Sequence, residues 1–219
     1  MGITERKERE KEQRKNAIID AAEKVFFSKG LDAATMDEVA EAAELSKGTL
    51  YLYFQNKYDL YLAINSRGLD IMNAMFEKAF QSEEKGLDKI TAIGRAYYEY
   101  YKQYPDYFNS MIHWDAHSID MTLETENARE CGQKGNKALE IVARAVQAGV
   151  DDRTIRSDID PLKTAPVLWG LATGILHMLA TKADHLIEEH SDIVGFKNQD
   201  EMVEYAYRLI RFSLTNHIT

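Results

Sequence analysis

The 219-residue chain is long enough for one large or two small domains and for a sizeable buried core. Three prolines and twelve glycines, against abundant Ala, Glu, Lys, Leu and Tyr, favour an all-α protein. A formal net charge of −9 excludes a uniformly basic DNA-coating protein, and the single cysteine, Cys131, excludes an intrachain disulfide and a Cys-based zinc site.

Residues 4–16, TERKEREKEQRKN, mix both signs of charge without an apolar stripe and predict a frayed helical arm. Two readings stay open for it. It is either a solvated extension, or a basic arm in which Arg6, Lys7, Arg9, Arg14 or Lys15 reach DNA phosphate or the adjacent minor groove, a reading that the interleaved glutamates weaken. The first helix proper places Ile18, Ala21, Ala22, Val25 and Phe26 on one face, with Gly30 ending it as the C′ residue. The charged N-terminal stretch lacks the apolar core of a secretory signal, and no apolar run is expected to reach the length of a membrane span. Together with the lone thiol, this predicts a soluble cytoplasmic protein.

The stretch Thr35–Lys57, TMDEVAEAAELSKGTLYLYFQNK, is the one around which the rest of the chain is organised. Thr35 is an N-cap with Glu38 closing a capping box, so a helix runs to about Ala43 with Met36, Val39, Ala40 and Ala43 on one face. Glu44 and Leu45 form a turn, and Ser46 caps a second helix in which Leu50 and Phe54 point inward. Its outward set is Lys47, Gly48, Tyr51 and Leu52. A lysine and a tyrosine bond phosphate or base edges, and a glycine permits close backbone approach. The spacing alone leaves an ordinary αα-hairpin and a DNA-reading helix-turn-helix both open. Residues 1–57 carry ten Lys+Arg and eleven Asp+Glu; the remainder carries seventeen and twenty-five, so the acid is concentrated away from this segment.

The string Ser46-Lys47-Gly48-Thr49-Leu50-Tyr51-Leu52-Tyr53-Phe54, followed by Lys57 and Leu60, closely resembles the recognition helix and following lysine of TetR-family bacterial transcription regulators. Ala17-Ile18-Ile19, Ala21-Ala22, Val25-Phe26, Gly30, Thr35 and Val39-Ala40 resemble the same family's first two helices, so the match covers roughly residues 14 to 62. By that resemblance, Lys47, Gly48 and Tyr51 are candidates for base or groove contact, and Thr35, Thr49, Tyr53 and Lys57 for phosphate. It also implies an N-terminal three-helix head, residues 1–56, and a helical ligand-binding and dimerisation domain, residues 57–219.

Asn56 is a candidate N-cap for a helical run of about 24 residues from Lys57 to Phe80, stiff enough to transmit a tilt. In the family, movement of this connecting element changes the separation of the two heads. Gly86 opens a segment in which Ile90, Ile93, Tyr97, Tyr101 and Tyr104 form a stripe, with Tyr98, Tyr100 and Tyr107 on other faces. Pro105 then starts a turn or helix through Phe108, Met111, Ile112 and Trp114. So many rings suit either a small-molecule pocket or a packed bundle. The expected pocket residues are Tyr97, Tyr101, Phe108, Met111, Trp114, Trp169, Thr173 and His177. His113 and His117 share a helical face, but nothing nearby completes a metal site, and no metal or cofactor is expected.

A long amphipathic helix is predicted from about Ile119 to Gly149. Asp160 then caps a helix with Pro161 at its first position, a pattern similar to the linker before the family's last two helices. Helices over about 161–190 and 200–217 are apolar on more than one face, and the simplest second cover is another copy of the chain. Such a C2 dimer, with Gly170, Ala172 and Gly174 permitting close approach, places two recognition helices for major grooves about 34–36 Å apart on a palindromic operator.

The resulting expectation is a homodimeric transcriptional repressor, released from double-stranded DNA by a small hydrophobic or aromatic inducer. The alternative is a TetR-like DNA-binding protein without a small-molecule ligand, controlled by abundance or a protein partner. A helical-bundle enzyme is disfavoured, because no nucleophile with a paired base and no phosphate loop is legible.

Overall fold

The computed structural model describes residues 2–116, 124–183, 187 and 195–215, and the regular elements among them are helices. The chain divides into two compact units. One comprises Met1–Leu69 and Asp106–Lys134, the other Asp70–Pro105 and Gly135–Thr219. The unit that contains the three-helix head therefore includes more chain than residues 1–56.

In the first unit, α1 (Ile3–Lys29), α2 (Met36–Ala42), α3 (Lys47–Tyr51) and the first turns of α4 (Lys57–Ser82) enclose one apolar core. Ile18, Ala22, Phe26, Leu31, Met36, Val39, Leu50, Phe54, Leu60 and Ile64 are its buried members. The expected fraying of residues 4–16 is not observed, since α1 is continuous from Ile3. Local pairs hold this end. Arg6 Nε donates to Glu10 Oε1 at 2.8 Å, Asn16 Nδ2 to Glu12 Oε1 at 3.2 Å, and the Gly2 amide to Glu5 Oε2 at 3.0 Å. Gly30 adopts φ 78°, which ends the helix.

The second helix of the hairpin is shorter than its i, i+4 spacing implied. α3 stops at Tyr51, because the Leu52 amide turns back to the Thr49 carbonyl at 3.2 Å, and Phe54 is buried from the turn beyond it. Asn56 caps α4 as expected, its Oδ1 accepting from the amides of Tyr58 and Asp59 at 2.9 Å each. α7 (Glu126–Asp151) starts later than the predicted Ile119, with Thr125 Oγ1 accepting the Ala128 amide at 3.1 Å; residues 119–123 lie outside the described residues. α6 (Pro105–Ala116) is joined to α1 and α4 by polar bonds. Arg67 donates to Asp20 at 2.7 Å and to Glu23 at 2.9 Å, and Tyr107 donates to the same Glu23 at 2.7 Å. Burial, and then the Glu23 carboxylate, push the Tyr107 phenol up to about 12.

In the second unit, α5 (Gly86–Gln103), α8 (Pro161–Ala183) and a last helix, α9 (Gln199–Leu214), pack on one another. The N-terminus of α5 is capped from a distance. Asp152 Oδ2 accepts the Gly86 amide at 2.8 Å, and Thr154 Oγ1 accepts the Leu87 amide at 3.2 Å. Backbone meets backbone here, so that a Cβ on Gly86 would lie 1.9 Å from the Gly149 nitrogen. Asp160 and Pro161 start α8 as predicted, Asp160 Oδ1 accepting the Leu162 amide at 3.0 Å.

By length and hydropathy α8 is an exception to the expectation that no segment reaches membrane-span length, because Pro161–Lys182 meets both criteria while remaining largely unburied. Its exposed apolar face continues onto α9. Val167, Leu171, Leu209 and Phe212 are each more than half exposed, with Tyr205 beside them on α9.

Candidate nucleic-acid interface and ligand cavity

α2 and α3 are short, and side-chain caps define both. Thr35 Oγ1 accepts the Glu38 amide at 3.3 Å while Glu38 Oε2 accepts the Thr35 amide at 3.0 Å, the reciprocal pair expected from Thr-x-x-Glu. Lys29, and then Thr35, hold the Glu38 carboxyl below its usual value. The turn needs one left-handed residue, Glu44 at φ 55°. Ser46 Oγ accepts the Thr49 amide at 3.2 Å and starts α3.

Leu50, the one buried residue of α3, anchors the helix so that its remaining residues face outward. Tyr51 is 52% exposed and Leu52 82%, unusual values for large apolar side chains beside a well-filled core. A Cβ at Gly48 would meet nothing nearer than Ser46 Oγ at 3.9 Å, so the backbone is open to close approach there. Lys47 is exposed, its ammonium 2.5 Å from Asp37 Oδ2 on α2. An exposed pair of this kind contributes little to stability and leaves the lysine free to exchange Asp37 for phosphate.

The other four expected DNA residues divide. Thr35 is exposed at the α2 N-terminus, and Thr49 is half-buried with its hydroxyl 2.8 Å from Ser46 Oγ. Tyr53 packs against the head core. Lys57 is committed to the fold, its ammonium donating to the carbonyls of Leu31 at 3.0 Å and Asp32 at 3.1 Å and so fixing the chain that leaves α1. Leu52 belongs to the exposed surface although it was not among the expected contact residues. Its position beside Tyr51 was the available signal.

In the second unit, Tyr97 of α5 is the centre of an aromatic cluster. Its ring stacks on Trp169 with centroids 5.1 Å apart, meets Phe76 edge-on at 5.7 Å, and its hydroxyl is 3.0 Å from Thr173 Oγ1. Beside these rings lies an apolar cavity of about 50 Å³, whose walls include Ile90, Thr91, Gly94, Leu168, Ala172 and Tyr207. Small-molecule sites generally have about 300–1,000 Å³. The cluster is thus an almost closed core with one narrow gap.

Of the expected pocket residues, Tyr97, Trp169 and Thr173 come together here. Tyr101 lies off the cavity, stacked on Tyr98 at 6.0 Å, and His177 is exposed on α8 because the helix turns that residue away from Leu176 and Leu179. Phe108 and Met111 lie in the first unit, where Phe108 is fully buried. The Trp114 side chain and His117 lie outside the described residues, whereas His113 meets Tyr61 edge-on at 6.4 Å. No group of three or more potential metal ligands occurs among the described residues. Gly94 and the α9 contributions, Tyr207 and Ile210, were not anticipated. Their apolar spacing looked like any core stripe.

The family model described as bacterial regulatory proteins, tetR family, matches residues 18–64, a span that contains α2 and α3. The chain is similar to the HTH-type transcriptional regulator YhgD of Bacillus subtilis, with 36% identity over 171 residues, 74% of this chain and 82% of that protein. It is also similar to the HTH-type transcriptional activator FasR of Mycolicibacterium smegmatis, with 25% identity over 195 residues, 79% of this chain and 88% of that protein. Among solved structures, AibR in complex with isovaleryl coenzyme A and operator DNA has a TM-score of 0.64 at 20% identity, covering 90% of this chain and 97% of that one.

Proposed function

The chain belongs to the TetR family of bacterial regulatory proteins, and from that premise we propose that it is a cytoplasmic, homodimeric transcriptional repressor that releases a palindromic operator when a small hydrophobic ligand binds. Residues 1–56 are the DNA-binding head and residues 57–219 the ligand-binding and dimerisation part. The observation that carries the reading is the outward set of α3, Lys47, Gly48, Tyr51 and Leu52, displayed on a helix held in place by one buried leucine. Those side chains have no function in the core, and they match the chemistry of a major groove. Thr35 and Thr49 serve phosphate, and Lys57 positions the head from within.

Dimerisation is supported by the exposed stripes of α8 and α9. Tyr205, Leu209 and Phe212 follow at i, i+4 and i+7, and a Cβ at Gly170 or Gly174 would meet nothing. Two matching stripes with small residues between them suit a second copy of the chain better than lipid. The relatives are transcriptional regulators, and enzymatic activity forms no part of the proposed function. One relative is named as an activator, so repression is tested by a promoter reporter in cells lacking the protein, where expression should rise.

In fluorescence anisotropy with a palindromic operator fragment, Lys47→Ala and Tyr51→Ala are each expected to weaken binding by about 1–3 kcal/mol, roughly fivefold to 150-fold. Tyr51→Ala should also relax discrimination against scrambled DNA. Wild-type affinity in both variants would remove α3 from the interface.

The ligand acts by linkage, because a compound that prefers the DNA-incompetent dimer must weaken operator binding by the same factor. Support for an acyl or aromatic ligand comes from the Tyr97–Trp169–Phe76 cluster and from the acyl thioester bound by the structural neighbour. A gap of about 50 Å³ admits no such molecule unless the side chains around it, Trp169 and Tyr207 among them, move apart. In a Trp114→Phe background, titration with acyl thioesters is therefore expected to change Trp169 fluorescence and lower operator affinity together. The same small gap favours a second reading, regulation by abundance or a protein partner without a small ligand. Unchanged fluorescence and unchanged operator affinity across acyl thioesters and aromatic compounds would establish it.

A further inference from the structure

The first unit buries a carboxyl group for which no cation is at hand. Asp59, in the first turn of α4, is 2% exposed and has no ion pair among the described residues. Its two oxygens are divided between two neutral donors instead. Oδ1 accepts Asn127 Nδ2 of α7 at 2.9 Å, and Oδ2 accepts the Gln55 amide at 3.0 Å. Asn127 is buried as well, and 68 residues of chain separate it from Asp59. Taking an acid out of water is costly unless its hydrogen bonds are complete, and removing one partner leaves that cost uncompensated.

The Gln55 amide belongs to the loop between α3 and α4, directly after Phe54. With five residues α3 is too short to be stable by itself, so its orientation is set by what holds its two ends and its buried side. Ser46 holds the front end, Leu50 and Phe54 enter the core, and the bond from Gln55 to Asp59 fixes the chain where it leaves the helix-turn-helix. Asn127 holds Asp59 in turn, from the first turn of α7. Both helices run on without a break, α4 to Ser82 and α7 to Asp151, and farther along them Phe76 and Val142 wall the narrow gap in the second unit.

We propose that Asp59 and Asn127 are a positioning pair for operator recognition: by bonding to Asp59, α7 fixes the exit of α3 and with it the angle at which Lys47, Gly48 and Tyr51 meet the major groove. The inference rests on the DNA-binding reading above. It adds to that reading two buried residues and a helix, α7, whose register becomes a condition for binding. An apolar pair would pack in several registers, whereas a directional bond to a buried acid admits one. A shift of α7 along α4 must break that bond and loosen the hold on Gln55. Phosphate contacts depend less on the angle of α3 than base contacts do, so the pair acts on the operator and largely spares random DNA.

The test uses the full-length protein. Asn127→Asp sets a second acid against Asp59, and is expected to weaken binding to the operator fragment about tenfold or more, roughly the effect of one mismatched base pair, with affinity for scrambled duplex within about twofold of wild type. Adding Asp59→Asn restores donor and acceptor in exchanged places, because the side-chain nitrogen at position 59 then donates to the acid at position 127 while the oxygen beside it still accepts the Gln55 amide. Asp59→Asn/Asn127→Asp is therefore expected to recover operator affinity to within about threefold of wild type. Hydrogen exchange at the Gln55 amide should be faster in Asn127→Asp and slow again in the exchanged pair. Asn127→Ala removes the bond without adding charge, and it carries the test if Asn127→Asp does not fold; its operator preference should fall in the same direction. Wild-type operator affinity in Asn127→Ala overturns the proposal. So does an equal loss on operator and scrambled DNA in step with a falling melting temperature, which is what a merely structural pair would give, and so does a folded exchange variant that rescues nothing. A wild-type chain that binds no duplex specifically overturns the DNA-binding reading, and the role of the pair with it.

Discussion

Leu171→Glu/Phe212→Glu is expected to convert the protein to a folded monomer and to weaken operator binding on the order of 10²–10⁴-fold, the loss incurred when two half-sites are no longer bound through one linked molecule. Both side chains are more than half exposed on the single chain, Leu171 at 51% and Phe212 at 64%, so the subunit's own core does not depend on them. In the proposed dimer the same positions would meet a second apolar stripe, and four carboxylates would then be buried without partners. Sedimentation should show the mass of one chain at concentrations where the wild type shows two, with helix content unchanged. Residual DNA binding should be salt-sensitive and indifferent to sequence, because each head alone retains phosphate contacts. If the double variant sediments as the wild-type dimer and holds the operator with wild-type affinity, α8 and α9 are not the interface. A wild-type chain that is itself monomeric would refute the dimer directly.

Gly86→Ala is expected to lower thermal stability by about 3 kcal/mol, the upper end of overpacking effects. The new Cβ would lie 1.9 Å from the Gly149 nitrogen and 2.2 Å from its Cα. Those atoms belong to backbone and cannot rotate away, so the start of α5 must move off α7. Movement there also breaks the Gly86 and Leu87 amide bonds to Asp152 and Thr154. For a chain of this size the melting temperature should fall by about 6–12 °C, at about 2–4 °C per kcal/mol. Gly132→Ala is the internal control. It lies within α7 with nothing near its added Cβ, and the same change should stabilise by about 0.5–1 kcal/mol through helix propensity. A Gly86→Ala protein that melts with the wild type would mean that the two backbones part more easily than their contact implies.

The head was legible because its signals are local. Thr35 with Glu38, Ser46 with the Thr49 amide, and Asn56 at the start of α4 are hydrogen bonds spanning two or three residues, and sequence spacing alone specifies such bonds. Asp160 and Pro161 at the start of α8 are of the same kind. Apolar periodicity placed Ile18, Ala22, Val39 and Leu50 inside, and Lys47, Gly48, Tyr51 and Leu52 outside. At Phe54 the helical period overreaches, because it continues into a turn that buries the residue by another route.

By itself the sequence determined the all-helical class, the helix-turn-helix and its outward side chains, the caps, and the apolar surplus of the last two helices, since each depends on neighbours within about one or two helical turns. Tertiary structure decided what depends on partners far along the chain. It committed Lys57 to the Leu31 and Asp32 carbonyls, and gave Lys47 an Asp37 partner. It also gathered Tyr97, Trp169 and Thr173 into one cluster beside a narrow gap while sending Phe108 and Met111 to the other unit. A ring in an amphipathic stripe carries the same periodic signal whether it lines a cavity or fills a core. Only the packing of separate helices distinguishes the two, because the space between them is set by side chains that the sequence holds far apart, as it does Tyr97 and Thr173.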